Sequence, residues 1–135
     1  MSDTHSSADT DTQIWLADDG SVHSTWVSHY AYRFARNSPS RRLRVLHVVG
    51  QLPAAPDWAA QRLKLGERYG VQVVVTQLAR NGSVAQTLAD AVAGPNSVLV
   101  AGLRSHQSQK GVVAGTVTEQ LLRTKGPAVL AMRVV

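Results

Sequence analysis

The chain has 135 residues, 44% of them apolar, with 14 Lys and Arg against 9 Asp and Glu and no cysteine. That is the size of one domain, enough to bury roughly two thirds of the surface its unfolded chain exposes, and the missing cysteines exclude disulfides, thiolate metal sites and cysteine nucleophiles. No uninterrupted apolar run approaches the ~18 residues of a membrane span, and no basic-then-apolar secretory signal opens the chain, so a cytoplasmic protein without membrane insertion is expected.

Residues 1–12 (MSDTHSSADTDT) contain Asp3, Asp9 and Asp11 but neither Lys nor Arg. Such a segment holds too little apolar surface to order itself and is expected to be a disordered acidic leader, with 13–135 as the folded domain. The rest of the chain carries 14 basic against 6 acidic side chains, a formal +8. That balance suits an anionic partner, although arginines scattered over solvated helices give the same total.

The first apolar run, QIWLA (13–17), reads as a strand and ends in Asp18-Asp19-Gly20-Ser21. Ser21 is a good N-cap for a helix over 22–36, whose Val27, Tyr30, Ala31 and Phe34 form one apolar stripe, and Asn37 with Pro39 marks its end. LRVLHVV (43–49) follows as a second strand, entered through Arg41-Arg42-x-Arg44, which reads as a solvated loop. A helix over 57–69, with Trp58, Leu65 and Tyr69 on one side, stops at Gly70. VQVVVTQL (71–78) is the third strand; Ser83 then caps a helix carrying Val84, Leu88 and Val92, closed by Gly94-Pro95. SVLVAGL (97–103) is the fourth strand. Thr116 opens a last helix with Val117 and Leu121 inward, ended by Gly126-Pro127, and PAVLAMRVV (127–135) is the fifth strand.

Valine- and leucine-rich runs with little strict alternation are how strands covered on both faces look in a parallel sheet. Alternating strands and helices then predict an α/β domain, a doubly wound five-stranded parallel sheet with helices on both faces. With the order 3-2-1-4-5, the turns after the first and fourth strands flank the point where strand order reverses, which is where such sheets take ligands.

The turn after the fourth strand runs GLRSHQSQKGVVAGT from Gly102 to Thr116. Gly102 allows a sharp departure and a close approach of ligand to backbone, and Gly115-Thr116 opens a helix whose unpaired N–H groups favour anions. Arg104 and Lys110 add positive charge, so the loop reads as a phosphate cradle; a solvated loop with a good cap is the bland alternative. Asp19 has its own bland reading as a turn residue before glycine. Asp18 reads more simply as a solvent-facing acid than as a second carboxylate bridged to phosphate through a metal.

Asp19-Gly20-Ser21, Leu46-His47-Val48, the loop G-x2-G-x9-G-[S/T] and Val117-Thr118-Glu119 stand in the order of the universal stress protein family, which the chain resembles over 13–135. The resemblance implies an adenine-nucleotide-binding α/β domain, often dimeric, acting in stress responses. Carried over by position, Asp19 meets the adenine and the Val48 backbone its edge; Gly102 and Ser105 lie along ribose and inner phosphates, with Arg104 beside them. Gly115, Thr116 and Val117 hold the outer phosphates. Ser105 stands where the signature has its second glycine, and this departure favours the alternative of a nucleotide-free dimeric module that regulates a transporter or other partner.

The ligand expected is ATP or AMP, with Mg²⁺ as an optional companion, and at most slow ATP hydrolysis. Ser21, His23 and Asp19 crowd within one turn and no G-x-S-x-G elbow presents a nucleophile, so no catalytic residue is assigned. The five histidines show no metal spacing, and His47 reads as a satisfied core or cleft-edge residue. Trp15, Trp26 and Trp58 read as core or helix-packing residues. Nucleic acid is not expected as a partner, because the Arg41–Arg44 cluster lacks interleaved aromatics. The apolar last strand, Pro127 to Val135, belongs at a sheet edge, where pairing with a second copy would make a homodimer.

Overall fold

A computed structural model describes residues 12–20, 22–49, 57–92, 96–103, 121 and 128–133. The elements run β1 (Gln13–Ala17), α1 (Val22–Arg36), β2 (Arg42–Val49), α2 (Trp58–Tyr69), β3 (Gln72–Ala79), α3 (Val84–Ala91), β4 (Ser97–Leu103) and β5 (Ala128–Arg133). All five strands join one sheet in the order β3-β2-β1-β4-β5, and each neighbouring pair is parallel. The expected doubly wound sheet is therefore the observed one. Ser21, Gly94-Pro95 and the expected helix from Thr116 to Gly126 lie outside the described residues, apart from Leu121, which is helical and buried.

Strand parity sorts the core into two layers. Ile14 and Leu16 of β1, Leu43 and Val45 of β2 and Val100 of β4 pack under α1 and α2. Leu46 and Val48 of β2, Leu99 and Ala101 of β4, with Trp15 and Ala17 of β1, pack on the other face with α3 and Leu121. Because β1 is covered on both sides, it contributes side chains to each layer.

The helix ends follow local chemistry. The Ser83 hydroxyl accepts from the Gln86 amide at 3.0 Å and so caps α3. Val92, expected inside that helix, is instead its extended C-terminal neighbour, though still buried. Gly70 ends α2 with φ 70°, a left-handed conformation that glycine adopts without a Cβ penalty. Gly66 answers to packing instead: a Cβ there would collide with Val73 Cγ2 and sit 3.0 Å from the Val71 carbonyl oxygen.

Three expectations about α1 and its neighbourhood change. Val27, Ala31, Tyr32 and Ala35 form its buried stripe, whereas Tyr30 and Phe34 are 45% and 36% exposed, and Trp26 is 58% exposed. Tyr32 takes the inward place because its hydroxyl finds a buried acceptor, donating to the Arg62 carbonyl at 2.9 Å. Burial pushes that hydroxyl well above its ordinary pKa, so it stays a donor. The arginine cluster also differs: Arg42 and Arg44 belong to β2 itself, and Arg44 lies over the Trp15 ring while donating to Gln13.

The seam between α1 and α2 is aromatic. Tyr32 stacks on Tyr69 at 5.6 Å, and His29 Nδ1 lies 2.8 Å from the Tyr69 hydroxyl. Burial, and then the positive charges of Arg33, Arg62 and Arg68, hold the His29 pKa below its usual 6.5.

Two outcomes are expected. Gly66→Ala gains about 1 kcal/mol of helix propensity but crowds α2 against β3 at a cost of about 1–3 kcal/mol. Urea denaturation should therefore show a net loss of up to about 2 kcal/mol. His29 binds its proton less readily folded than unfolded, so its contribution is full above the unfolded value of 6.5 and is lost as pH falls through the lower folded value. Urea midpoints from pH 7 to pH 5 should therefore fall more for the native chain than for His29→Asn.

Candidate functional site

Strand order reverses between β1 and β4, the two strands that leave the centre of the sheet for turns at the same carboxyl edge. The register places the candidates there. Ala17 pairs with Leu46 and Leu16 with Val100. Continued by two residues, the same register sets Asp19 level with Val48 on one side and one residue beyond Gly102 on the other. Val48 is fully buried by its side chain in the α3 layer, so only its backbone can face a ligand. Gly102 pairs with Met132 of β5 near the end of β4. Arg104, Ser105, Gly115, Thr116 and Val117, with Lys110, lie outside the described residues.

Asp18 is not the solvent-facing acid expected. It continues the parity of Ile14 and Leu16 into the α1–α2 layer and is 2% exposed. Its amide still extends the sheet, donating to the Leu46 carbonyl at 2.9 Å. Its carboxylate meets Arg62 of α2, with Arg62 Nε 2.5 Å from Oδ2 and Nη2 3.4 Å from Oδ1. Oδ1 also accepts the Gly20 amide at 2.8 Å, closing the turn that follows β1. Both carboxylate oxygens are thus occupied, and the metal-bridging role weighed for Asp18 is removed. Among the described residues, no group of three or more His, Asp or Glu is placed to hold a metal ion.

A shell of named groups supports this pair. His47, level with Asp18 on the continued register, approaches the Asp18 carbonyl at 2.9 Å through Nδ1; since a carbonyl only accepts, Nδ1 carries the hydrogen. The Trp58 ring lies 5.0 Å from the His47 ring. His47 is therefore the satisfied core histidine that the sequence implied. Arg62 was missed, although its place was visible: Trp58, Arg62, Leu65 and Tyr69 share one helical stripe, and a cation among those apolar residues needs a buried carboxylate.

The fold has known counterparts. The universal stress protein of Archaeoglobus fulgidus superposes with a TM-score of 0.65 at 18% identity, covering 89% of this chain and 97% of that one. This chain has the universal stress protein fold. A universal stress protein family structure from Burkholderia pseudomallei matches with a TM-score of 0.62 at 21% identity, covering 89% and 95%. The A. fulgidus universal stress protein in complex with dAMP also gives 0.62, at 16% identity, covering 89% and 96%. No family model matches the sequence. By sequence, tRNA(Ile)-lysidine synthase of Pseudomonas putida is 32% identical over 122 residues. That match takes in 83% of this chain but 27% of the relative, so the chain spans about a quarter of that protein's length.

Breaking a buried pair from one side leaves a bare charge. Arg62→Met should therefore cost about 3–5 kcal/mol in urea denaturation. Adding Asp18→Asn, which keeps an acceptor for Gly20, should recover much of that loss. An equal or larger loss in the double variant would show that the pair's charge is not what stabilises the turn.

Proposed function

We propose that the chain is a universal stress-type protein that binds an adenine nucleotide, ATP or AMP, as a regulatory ligand. The observation that carries this reading is the convergence of Asp19, the Val48 backbone and Gly102 on the reversal point of the universal stress protein fold. A relative in fold has been solved with dAMP, which supports adenine as the base. In this reading the Asp19 carboxylate receives the adenine and Val48 offers main-chain groups to the base edge. Gly102, Arg104 and Ser105 follow ribose and inner phosphates, and Gly115, Thr116 and Val117 cradle the outer ones. With Asp18 engaged by Arg62, any Mg²⁺ enters with the phosphates.

The proposal assigns no general base and no nucleophile, so turnover is expected to be slow or nil. Two further parts belong to it: action in the cytoplasm, and a homodimer formed through the edge strand from Pro127 to Val135. Ser105 in place of the loop's second glycine favours the second reading, a nucleotide-free interaction module that regulates a transporter or other partner.

Thermal unfolding with ATP and AMP, with and without Mg²⁺, separates the two. Ligand at 100 times its dissociation constant should add about 2.7 kcal/mol of stability. Asp19→Ala should weaken binding by about 1.5–3 kcal/mol, the loss of a charged hydrogen bond, and Gly115→Leu should abolish it with the fold intact. No shift at millimolar nucleotide would make the nucleotide-free module the better reading.

A further inference from the structure

Helix α1 keeps Val27, Ala31, Tyr32 and Ala35 at 0–1% exposure, yet leaves three large aromatic side chains in water. Trp26, Tyr30 and Phe34 follow one another at every fourth residue, so they run along the outer side of the helix as a ladder. The rise of about 1.5 Å per residue separates successive rings by about 6 Å. Clustered exposed apolar groups of this size mark interaction sites more often than chance.

The charge around the ladder is mostly positive. Helix α1 contains no Asp or Glu, and Arg33 and Arg36 lie in its last turn. Across the seam, α2 brings exposed Arg68; its one acid is Glu67, and its buried Arg62 is matched by Asp18. Besides burial, Arg33 and Arg68 lie near enough to His29 to disfavour its charged form.

We propose that the outward face of α1, with Trp26, Tyr30 and Phe34 in line, Arg33 beside them and Arg36 over Tyr69 at the α2 seam, is a stacking surface for single-stranded RNA. Sequence-tolerant binding of unpaired strands needs both parts: aromatic faces for bases and cations for the phosphates. A second copy of the chain fits less well. Two-fold pairing of this face sets the same arginines against each other, at a cost in like-charge repulsion. A duplex fits less well also. Its bases stay stacked at about 3.4 Å per nucleotide and hidden from the rings, whereas loops and ends of RNA offer splayed bases. The aromatics absent around Arg41–Arg44 lie on the preceding helix, where the sequence pattern had assigned Tyr30 and Phe34 to the core.

The test uses the full chain and a fluorescein-labelled twelve-residue oligo(U) RNA, read by anisotropy at low salt, with tryptophan fluorescence in parallel. Binding is expected, with quenching of tryptophan emission. Trp26→Ala combined with Tyr30→Ala should weaken it about tenfold or more, as the loss of stacked bases requires. Arg33→Gln should lower the slope of log affinity against log salt by about one. All three positions are exposed, and circular dichroism with an unchanged melting temperature verifies the fold. The proposal is overturned by absence of binding at low salt, by equal binding of the aromatic variant, or by equal binding of an RNA duplex. It is also overturned if sedimentation shows a dimer that the aromatic variant dissociates, since the face then belongs to a second copy.

Discussion

The Asp18 carboxylate, sealed beneath α2 and gripped by Arg62, fixes what the centre of this molecule does at its carboxyl edge. β1 is the middle strand, and its end is where the chain must turn without losing the sheet. Asp18 serves both needs. Its amide extends the ladder to Leu46, and its carboxylate closes the turn through Gly20 while neutralising a buried cation. A charge held this far from water persists only when nearly every lone pair is used. Tyr32 and His47 complete the arrangement by taking the Arg62 and Asp18 carbonyls. One ion pair thereby couples α1, α2, β1 and β2 at the edge where Asp19 emerges.

Asp18 and Asp19 divide the two sides of the sheet between them. The first follows the parity of Leu16 into the α1–α2 layer; the second follows that of Ala17 toward the α3 layer, where Val48 is buried. Consecutive carboxylates thus fall on opposite faces because a strand alternates its side chains. Asp18 closes the turn and matches Arg62, and Asp19 follows it at the edge where strand order reverses. The separation also accounts for two adjacent acids beside a proposed phosphate site: the charge of Asp18 is matched by Arg62 within the α1–α2 layer.

Much of the architecture was legible in the residues. Val- and Leu-rich runs with helical segments between them specify a parallel sheet, because only strands buried on both faces dispense with alternation. The ends of β1 and β4 and the caps at Ser83 and Gly70 followed from local chemistry, whereas the order 3-2-1-4-5 came from how open α/β sheets place their ligand edge. Less legible was everything decided by pairing across the fold. Asp18 next to Asp19-Gly20 reads as a surface turn until Arg62, 44 positions on, is brought over it. Tyr30, Phe34 and Tyr32 are all aromatic residues on one helix, and spacing alone selected the wrong ones. The hydroxyl of Tyr32 found an acceptor inside, which turned α1 so that its other rings face outward.

The central strand also ties together parts of the chain that lie far apart in sequence. On its β4 side Gln13 pairs with Ser97, far along the chain. On its β2 side the reach is shorter, from Leu16 to Val45, and Arg44 also bonds the Gln13 side chain. β4 completes the other rim of β1 and adds Leu99 and Ala101 to the layer under α3, beside Trp15, Ala17, Leu46 and Val48. Half of the central strand's pairing therefore rests on contacts distant in sequence, whose loop-closure entropy must be met before they stabilise the sheet.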